Sequence, residues 1–241
     1  MPRLIGTPPP IRPTRPQANN HIMFKLTYEG LNFSDQDLPE FVETVSRHAY
    51  GKKIVLNDSI ATGNYKLLEF PNGFYAYASN YILHRDFELE LSVSRPDYVA
   101  LHINQILAGA ECRISINGQS VAYDDKVITS IFLTAGNDKF LLSGSKGACV
   151  NRLKIMVPIS WLQQQPAFRE NNSFSSYFGL NEERLYFDAL DTTYRTMVDK
   201  VMGAEDHDYY ISVTENIVTM ITERFFNRLS ARLRKTRQAM R

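Results

Sequence analysis

Through the middle of the chain, hydrophobic residues recur at every second position. Phe87, Leu89, Leu91 and Val93 alternate with Glu88, Glu90, Ser92 and Ser94. Val99, Leu101 and Ile103 alternate with Ala100, His102 and Asn104, and Cys112, Ile114 and Ile116 with Arg113 and Ser115. Val127, Thr129, Ile131 and Leu133 form a further run, and Leu153, Ile155 and Val157 alternate with Arg152, Lys154 and Met156. A period of two predicts strands with one dry and one wet face. Asn117-Gly118 is the strongest short hairpin signal in the sequence. Short strands at this spacing argue for a sandwich or a small barrel.

The period changes on either side of this region. Ser34, followed by Asp35 and Asp37, predicts the start of a short helix with Phe41, Val42 and Val45 on its buried face and Gly51 as its stop. Pro158 predicts a short helix carrying Trp161 and Leu162. Asp191 or Thr192 can cap a helix with Tyr194, Met197, Val198 and Val201, ended by Gly203. A longer helix is expected from about Tyr209 to the C-terminus. Its seam of Ile211, Thr214, Val218, Ile221 and Phe225 recurs at three and four residues, with Leu229 and Leu233 drifting in phase. Such a stripe on an otherwise polar helix predicts two-fold packing against a second copy, centred on Val218 to Phe225. The core is expected from about Ile54 to Val157, packed against the helices on one side, with Leu89, Leu91, Leu101, Ile103, Ile114, Leu153 and Ile155 buried.

Composition divides the chain in the same places. Six of the 11 prolines fall in the first 16 residues, beside Arg3, Arg12 and Arg15, so residues 1–21 read as an arm that cannot pack on its own. The bland reading is a flexible tail, and the functional one is an arm that folds over a ligand or partner. After Pro166 there is no proline, and Gly179 and Gly203 are the only glycines. The expected organisation is an arm over 1–21, a strand-rich domain over 22–165 and a helical segment over 166–241.

With 44% hydrophobic and 22% charged residues, the 241-residue chain can bury a real core. No run of about 18 apolar residues is present, and the first 20 residues lack the apolar stretch of a secretory signal, so no membrane contact and a cytoplasmic location are expected. Two cysteines are too few for a disulfide framework. From Ile221 onward there are seven basic residues and one acid, against 20 basic and 25 acidic before it. That end reads as a solvated helix face or as a contact for DNA phosphates or an acidic partner.

The chemistry of catalysis is sparse. No nucleophile elbow, Walker loop, dinucleotide-binding glycine pattern, zincin motif or C-x-x-C occurs. His84 and His102 stand alone on their strands, whereas a metal needs three or four convergent ligands, so no metal and no cofactor are expected. Asp124-Asp125 reads as a solvated turn. Ser143-Gly-Ser-Lys-Gly147 lacks the helix a phosphate loop requires, and also reads as a turn. The positive signal is eight aromatics between Tyr65 and Tyr98. Tyr75, Tyr77 and Tyr81 share one strand parity, and Tyr98, His102 and Asn104 another. Tyr75, Tyr77, Tyr98 and His102 are the candidate ligand-binding residues, since a small-molecule pocket wants apolar walls with a few placed hydroxyls and imidazoles. The alternative is that these tyrosines fill a core and send their hydroxyls to its rim.

The order of these parts resembles the sensor half of AraC-type transcription regulators, over about residues 31–233. The resemblance rests on Gly63-Asn-Tyr-Lys-Leu-Leu-Glu-Phe-Pro-Asn-Gly73, on Asp97-Tyr-Val-Ala-Leu-His-Ile-Asn104, on Val157-Pro-Ile-Ser-Trp-Leu162 and on a long helix at Ile211–Leu229. It implies an α+β, mainly β fold: a cupin-like β-roll (jelly-roll) core followed by a helical C-terminal segment. It further implies a non-enzymatic module that senses a small-molecule effector and forms a homodimer through the long helix. DNA would be reached only through a helix-turn-helix domain not present in these residues. The competing expectations are a cupin-type small-molecule enzyme, disfavoured by the missing ligand cluster, and a carbohydrate-binding jelly roll.

Overall fold

The computed structural model describes residues 22–28, 42–48, 51–93, 95–107, 112–116, 118–121, 128–135, 139–169, 186–188, 190–204 and 208–239. The proline-rich arm and Asp124-Asp125 lie outside them. Thirteen strands are described: β1 Ile22–Tyr28, β2 Val42–His48, β3 Gly51–Leu56, β4 Ala61–Glu69, β5 Tyr75–Leu83, β6 Phe87–Val93, β7 Tyr98–Leu107, β8 Cys112–Ile116, β9 Gln119–Val121, β10 Ile128–Ala135, β11 Lys139–Gly144, β12 Cys149–Pro158 and β13 Tyr186–Asp188. Among the described residues four helices accompany them: α1 Ile159–Gln164, α2 Pro166–Arg169, α3 Thr192–Met202 and α4 Asp208–Ala239. The protein is α+β and mainly β.

The strands form an eight-stranded antiparallel sheet, β13-β10-β7-β12-β5-β4-β3-β2, and a five-stranded sheet, β1-β6-β11-β8-β9, in which β1 runs parallel to β6. The neighbours β7, β12 and β5 of the large sheet are consecutive in sequence with β8, β11 and β6, which are neighbours in the small one. One three-stranded ribbon therefore runs through both sheets. Its bend is tied by Leu83 N–H to the Ala148 carbonyl (2.9 Å), Gly147 N–H to the Leu83 carbonyl (2.8 Å) and Lys146 N–H to the Asp86 carboxylate (3.0 Å). The expected turn at 143–147 is this bend.

Period-two alternation sets the two faces of the large sheet. Ala76, Ala78, Val99, Leu101, Ile103, Ile131, Leu133, Leu153, Ile155 and Val157 form one face, in a single buried cluster with Tyr194 and Val198 of α3 and Val218, Ile221, Phe225 and Leu229 of α4. Of the expected core, Leu89, Leu101, Ile103, Leu153 and Ile155 are buried; the side chains of Leu91 and Ile114 lie outside the described set. Gly63 shows how tightly the strands run: at φ +146° it faces Tyr81, and a Cβ there would stand 2.1 Å from the Asn80 carbonyl oxygen. Only glycine fits.

Three expectations are corrected. Val42 and Val45 belong to strand β2, paired with β3, where a helix was expected. The order Val42-Glu-Thr-Val45 reads as either period over so short a span, and sheet pairing decides it. Gly51 does not stop a helix but opens β3, where a Cβ would meet the Leu67 carbonyl oxygen at 2.2 Å. The segment 166–241, expected to be helical, returns β13 to the edge of the large sheet beside β10.

A further correction concerns the seam of α4. Thr214 is 4% exposed, Val218, Ile221 and Phe225 are fully buried, and Ile211 is half-buried against the same core. The stripe that a second copy was expected to cover is already covered by the chain's own sheet and α3.

Candidate functional site on the buried polar face

The other face of the large sheet is unusual. Directly paired residues of antiparallel strands share a face, so the register lays side chains out in cross-strand rows. One row runs Lys52, Leu67, Tyr77, Lys154, His102, Phe132. The next runs Ile54, Tyr65, Ser79, Arg152, Asn104, Ser130. A third row, with Tyr75, Met156, Ala100 and Thr134, borders the first. Lys52, Ser79, His102, Asn104, Ser130, Thr134, Arg152 and Lys154 are all buried. Polar groups are seldom buried so densely without a purpose, because each must be hydrogen-bonded or pay for its lost hydration.

His102 is the centre of this face. It stacks on Phe132, with ring centroids 4.6 Å apart and planes 6° from parallel. Its Nδ1 lies 3.0 Å from Nη2 of Arg152 and its Nε2 lies 3.0 Å from Oγ1 of Thr134. Guanidinium nitrogens can only donate, so Nδ1 must accept and the ring must be neutral, with its proton on Nε2 directed at Thr134. Burial, reinforced by the positive charges of Arg152 and Lys154, holds the imidazole well below its ordinary range. With its lone pair engaged, His102 is not a poised general base. It orients Arg152.

Lys154 lies over the Tyr77 ring, 5.6 Å from its centroid. Burial pushes the Tyr77 and Tyr65 hydroxyls up, so both stay protonated and can donate; Arg152 opposes the shift at Tyr65. The two rings meet edge to face at 6.3 Å. Asn104 stands out within this network. It is fully buried, and neither its amide nitrogen nor its carbonyl oxygen has a hydrogen-bond partner. Each such buried group left unmade costs about 1–3 kcal/mol.

The four expected ligand-binding residues share this face but divide into two pairs. Tyr77 and His102 sit in the same row, separated by Lys154. Tyr75 and Tyr98 form a second pair at the end of the sheet, edge to face at 6.0 Å. Tyr98 donates to the Gly73 carbonyl at 3.2 Å and carries the Arg95 guanidinium over its ring at 4.6 Å. Arg95 in turn grips Asp97 with two hydrogen bonds of 3.0 and 2.9 Å. This pair closes the end of the face and spends its hydroxyl on structure. Sequence reasoning missed Arg152 and Lys154. Their alternation with Leu153, Ile155 and Val157 was visible, but a charged parity ordinarily faces water.

Elsewhere, Asp191 caps α3 by accepting from Tyr194 N–H at 3.0 Å, and takes Arg224 at 2.8 Å and Arg228 at 3.2 Å from α4. Both guanidiniums lie over the Tyr194 ring. Two of the basic residues expected on a solvated or DNA-facing surface thus join the helices to each other. Among the described residues no group of three or more His, Cys, Asp and Glu could hold a metal, and no helix is long and apolar enough to cross a membrane. No family model matches the chain, and no curated protein matches it by sequence.

Proposed function

We propose that this chain is the small-molecule sensing region of an AraC-type transcription regulator, with a cupin-like roll that takes its effector on the polar face around His102, Asn104, Arg152 and Lys154. The observation that carries the reading is Asn104: a fully buried amide whose two polar atoms are both unpaired, placed among oriented donors. A bound molecule would complete those bonds. The neutral, doubly engaged His102 favours binding over acid–base catalysis, so the module is read as a sensor and not as an enzyme. In this reading DNA contact belongs to a separate helix-turn-helix domain. Homodimerisation remains part of the proposal, but α4 must use its outer face for it, where Val213 and Met220 are exposed.

Sheet and helices share one core, which supports the sensing role. The strands that carry His102, Asn104, Arg152 and Lys154 on one face carry Leu101, Ile103, Leu153 and Ile155 on the other, packed with α3 and α4. A ligand that shifts β7 or β12 therefore moves the floor on which the helices rest. The test is a thermal-shift screen of the whole chain against small molecules of anionic, neutral and cationic classes, repeated on Asn104→Leu. Binding in the parent that is lost in the variant is expected. If no class raises the melting temperature, or if Asn104→Leu binds as the parent does, the proposed site is wrong.

A further inference from the structure

The polar groups that surround Asn104 are already provided for. His102 is bonded to Thr134 and to Arg152, the Ser79 hydroxyl donates to the Arg152 backbone carbonyl at 3.3 Å, and Lys154 lies over the Tyr77 ring. Lys52, Tyr65 and Ser130 have contacts of their own. Among the described residues of these rows, Asn104 is left with both its amide nitrogen and its carbonyl oxygen unmet. The site therefore lacks one acceptor and one donor, side by side in a plane. Resting on the reading of this face as the effector site, we infer that the effector is a neutral, planar molecule with a cis-amide edge, the N–H beside C=O of a lactam, cyclic ureide or nucleobase, which Asn104 receives through two hydrogen bonds.

The donors and acceptors of the amide set the class. A carboxylate only accepts, so it would meet the Asn104 nitrogen and leave Oδ1 buried and unmet. An ammonium only donates and would do the reverse. A hydroxyl can do both, but a sugar brings several, each of which needs a partner once buried, and the polar neighbours here are engaged. A cis-amide edge carries one donor and one acceptor at the spacing of the Asn104 amide itself, as in the two-bond pairing of asparagine with adenine. The flanking rows fit the rest of a flat ring. On one side of Asn104, His102 and Phe132 lie parallel with centroids 4.6 Å apart. On the other, two residues along β12 from Arg152, Val150 is buried with Tyr81 opposite it. Apolar and aromatic walls around one polar edge are what a small heterocycle requires. Asn104 has no exposed surface, so the ring enters only as the face opens around it. The unmet amide favours that opening, because water or ligand then supplies the bonds that the closed state lacks.

The test uses the whole chain and paired probes that differ in that edge: uracil and 1,3-dimethyluracil, 2-piperidone and 1-methyl-2-piperidone, benzamide and benzoate, with glucose and putrescine beside them. Calorimetric titration and thermal shift are expected to find binders among uracil, 2-piperidone and benzamide. Each methylated or ionised counterpart should bind about tenfold or more weakly, since loss of the donor leaves Asn104 buried and unmet again. Asn104→Leu should bind none of them, yet melt no lower than the parent, because the unliganded amide has no bond to lose. Should that variant misfold, the methylated pairs, read on the parent chain, decide alone. Equal binding of methylated and unmethylated probes, or binding confined to benzoate, glucose or putrescine, would refute the cis-amide edge and leave the effector site standing. Lactam binding unchanged in Asn104→Leu, or no binding in any class, would remove the site as well.

Discussion

Arg152 donates to Nδ1 of His102 across neighbouring strands at 3.0 Å, and that one bond sets the protonation state of the most buried imidazole in the described structure. A cation cannot share a proton-bearing nitrogen with an imidazolium. Charging His102 must therefore break the pair or leave two like charges in contact in a site closed to water.

The first prediction follows from that pair. His102 titrates well below 6.5 in the folded protein and near 6.5 once unfolded. The unfolded chain thus takes up the proton first, so the stabilisation due to His102 is complete above pH 6.5 and is lost as the pH falls. Urea unfolding should show stability falling by up to about 1.4 kcal/mol per pH unit below about pH 6. His102→Asn keeps an acceptor for Arg152 and does not titrate, so its profile should be flatter by that slope. Parallel profiles would mean that the imidazole is not held neutral.

Asp191 should be worth more than a surface ion pair. It caps α3 and receives two arginines of α4, and the bond from Arg224 with the Tyr194 N–H holds its carboxyl below the ordinary range. About a third of the side chain is exposed, so the ion pairs themselves add at most about 1 kcal/mol. Asp191→Ala is expected to cost about 1–2 kcal/mol, mostly through the lost cap. Asp191→Ser, which keeps a cap, should recover most of it. Because the folded carboxyl is the stronger acid, this contribution is present above the ordinary carboxylate range and fades as the pH drops through it. Equal losses for Ala and Ser would show that the arginines, not the cap, carry the effect.

Ile221→Asp should now unfold the protein rather than split a dimer. Ile221 and Phe225 have no exposed surface and lie among Leu101, Ile103 and Leu153. Phe225→Ala is expected to cost about 3–5 kcal/mol in chemical denaturation, independent of protein concentration. A loss that vanished at high concentration would return the seam to a subunit interface.

If the chain dimerises through α4, Val213 and Met220 are the residues to change. They are 41% and 56% exposed and stand seven positions apart, two turns along one helix face. Val213→Lys with Met220→Lys should convert a dimer to a monomer in sedimentation, with the melting temperature of the monomer within a few degrees of the parent. A dimer that persists in this double variant would place the contact on another surface.

Much of the architecture could be read from local order. The alternation at 87–93, 99–103 and 153–157 marked strands because neighbouring side chains on a strand point to opposite sides, whatever the strand meets later. Gly118, at φ +81° between β8 and β9, the Asp191 cap and the Gly203 stop of α3 were equally local, as each is set by residues only a few positions away. Tyr77 and His102 were singled out for their aromatic and imidazole side chains, and the register places them in one row.

Tertiary structure decided the rest, and for one reason: a period states that a residue has two sides, not what lies on each. Val42 to His48 became a strand because β3 was there to pair with it. The α4 seam looked like a dimer interface until the sheet and α3 were seen to occupy it. Arg152 and Lys154 carried the strongest hidden signal. Alternation put them on the polar side of β12, but that side is buried as well. The sequence by itself determined which residues share a side. Which side water can reach depends on partners distant in the chain, and that is why the buried, charged face around Asn104 emerged only from the fold.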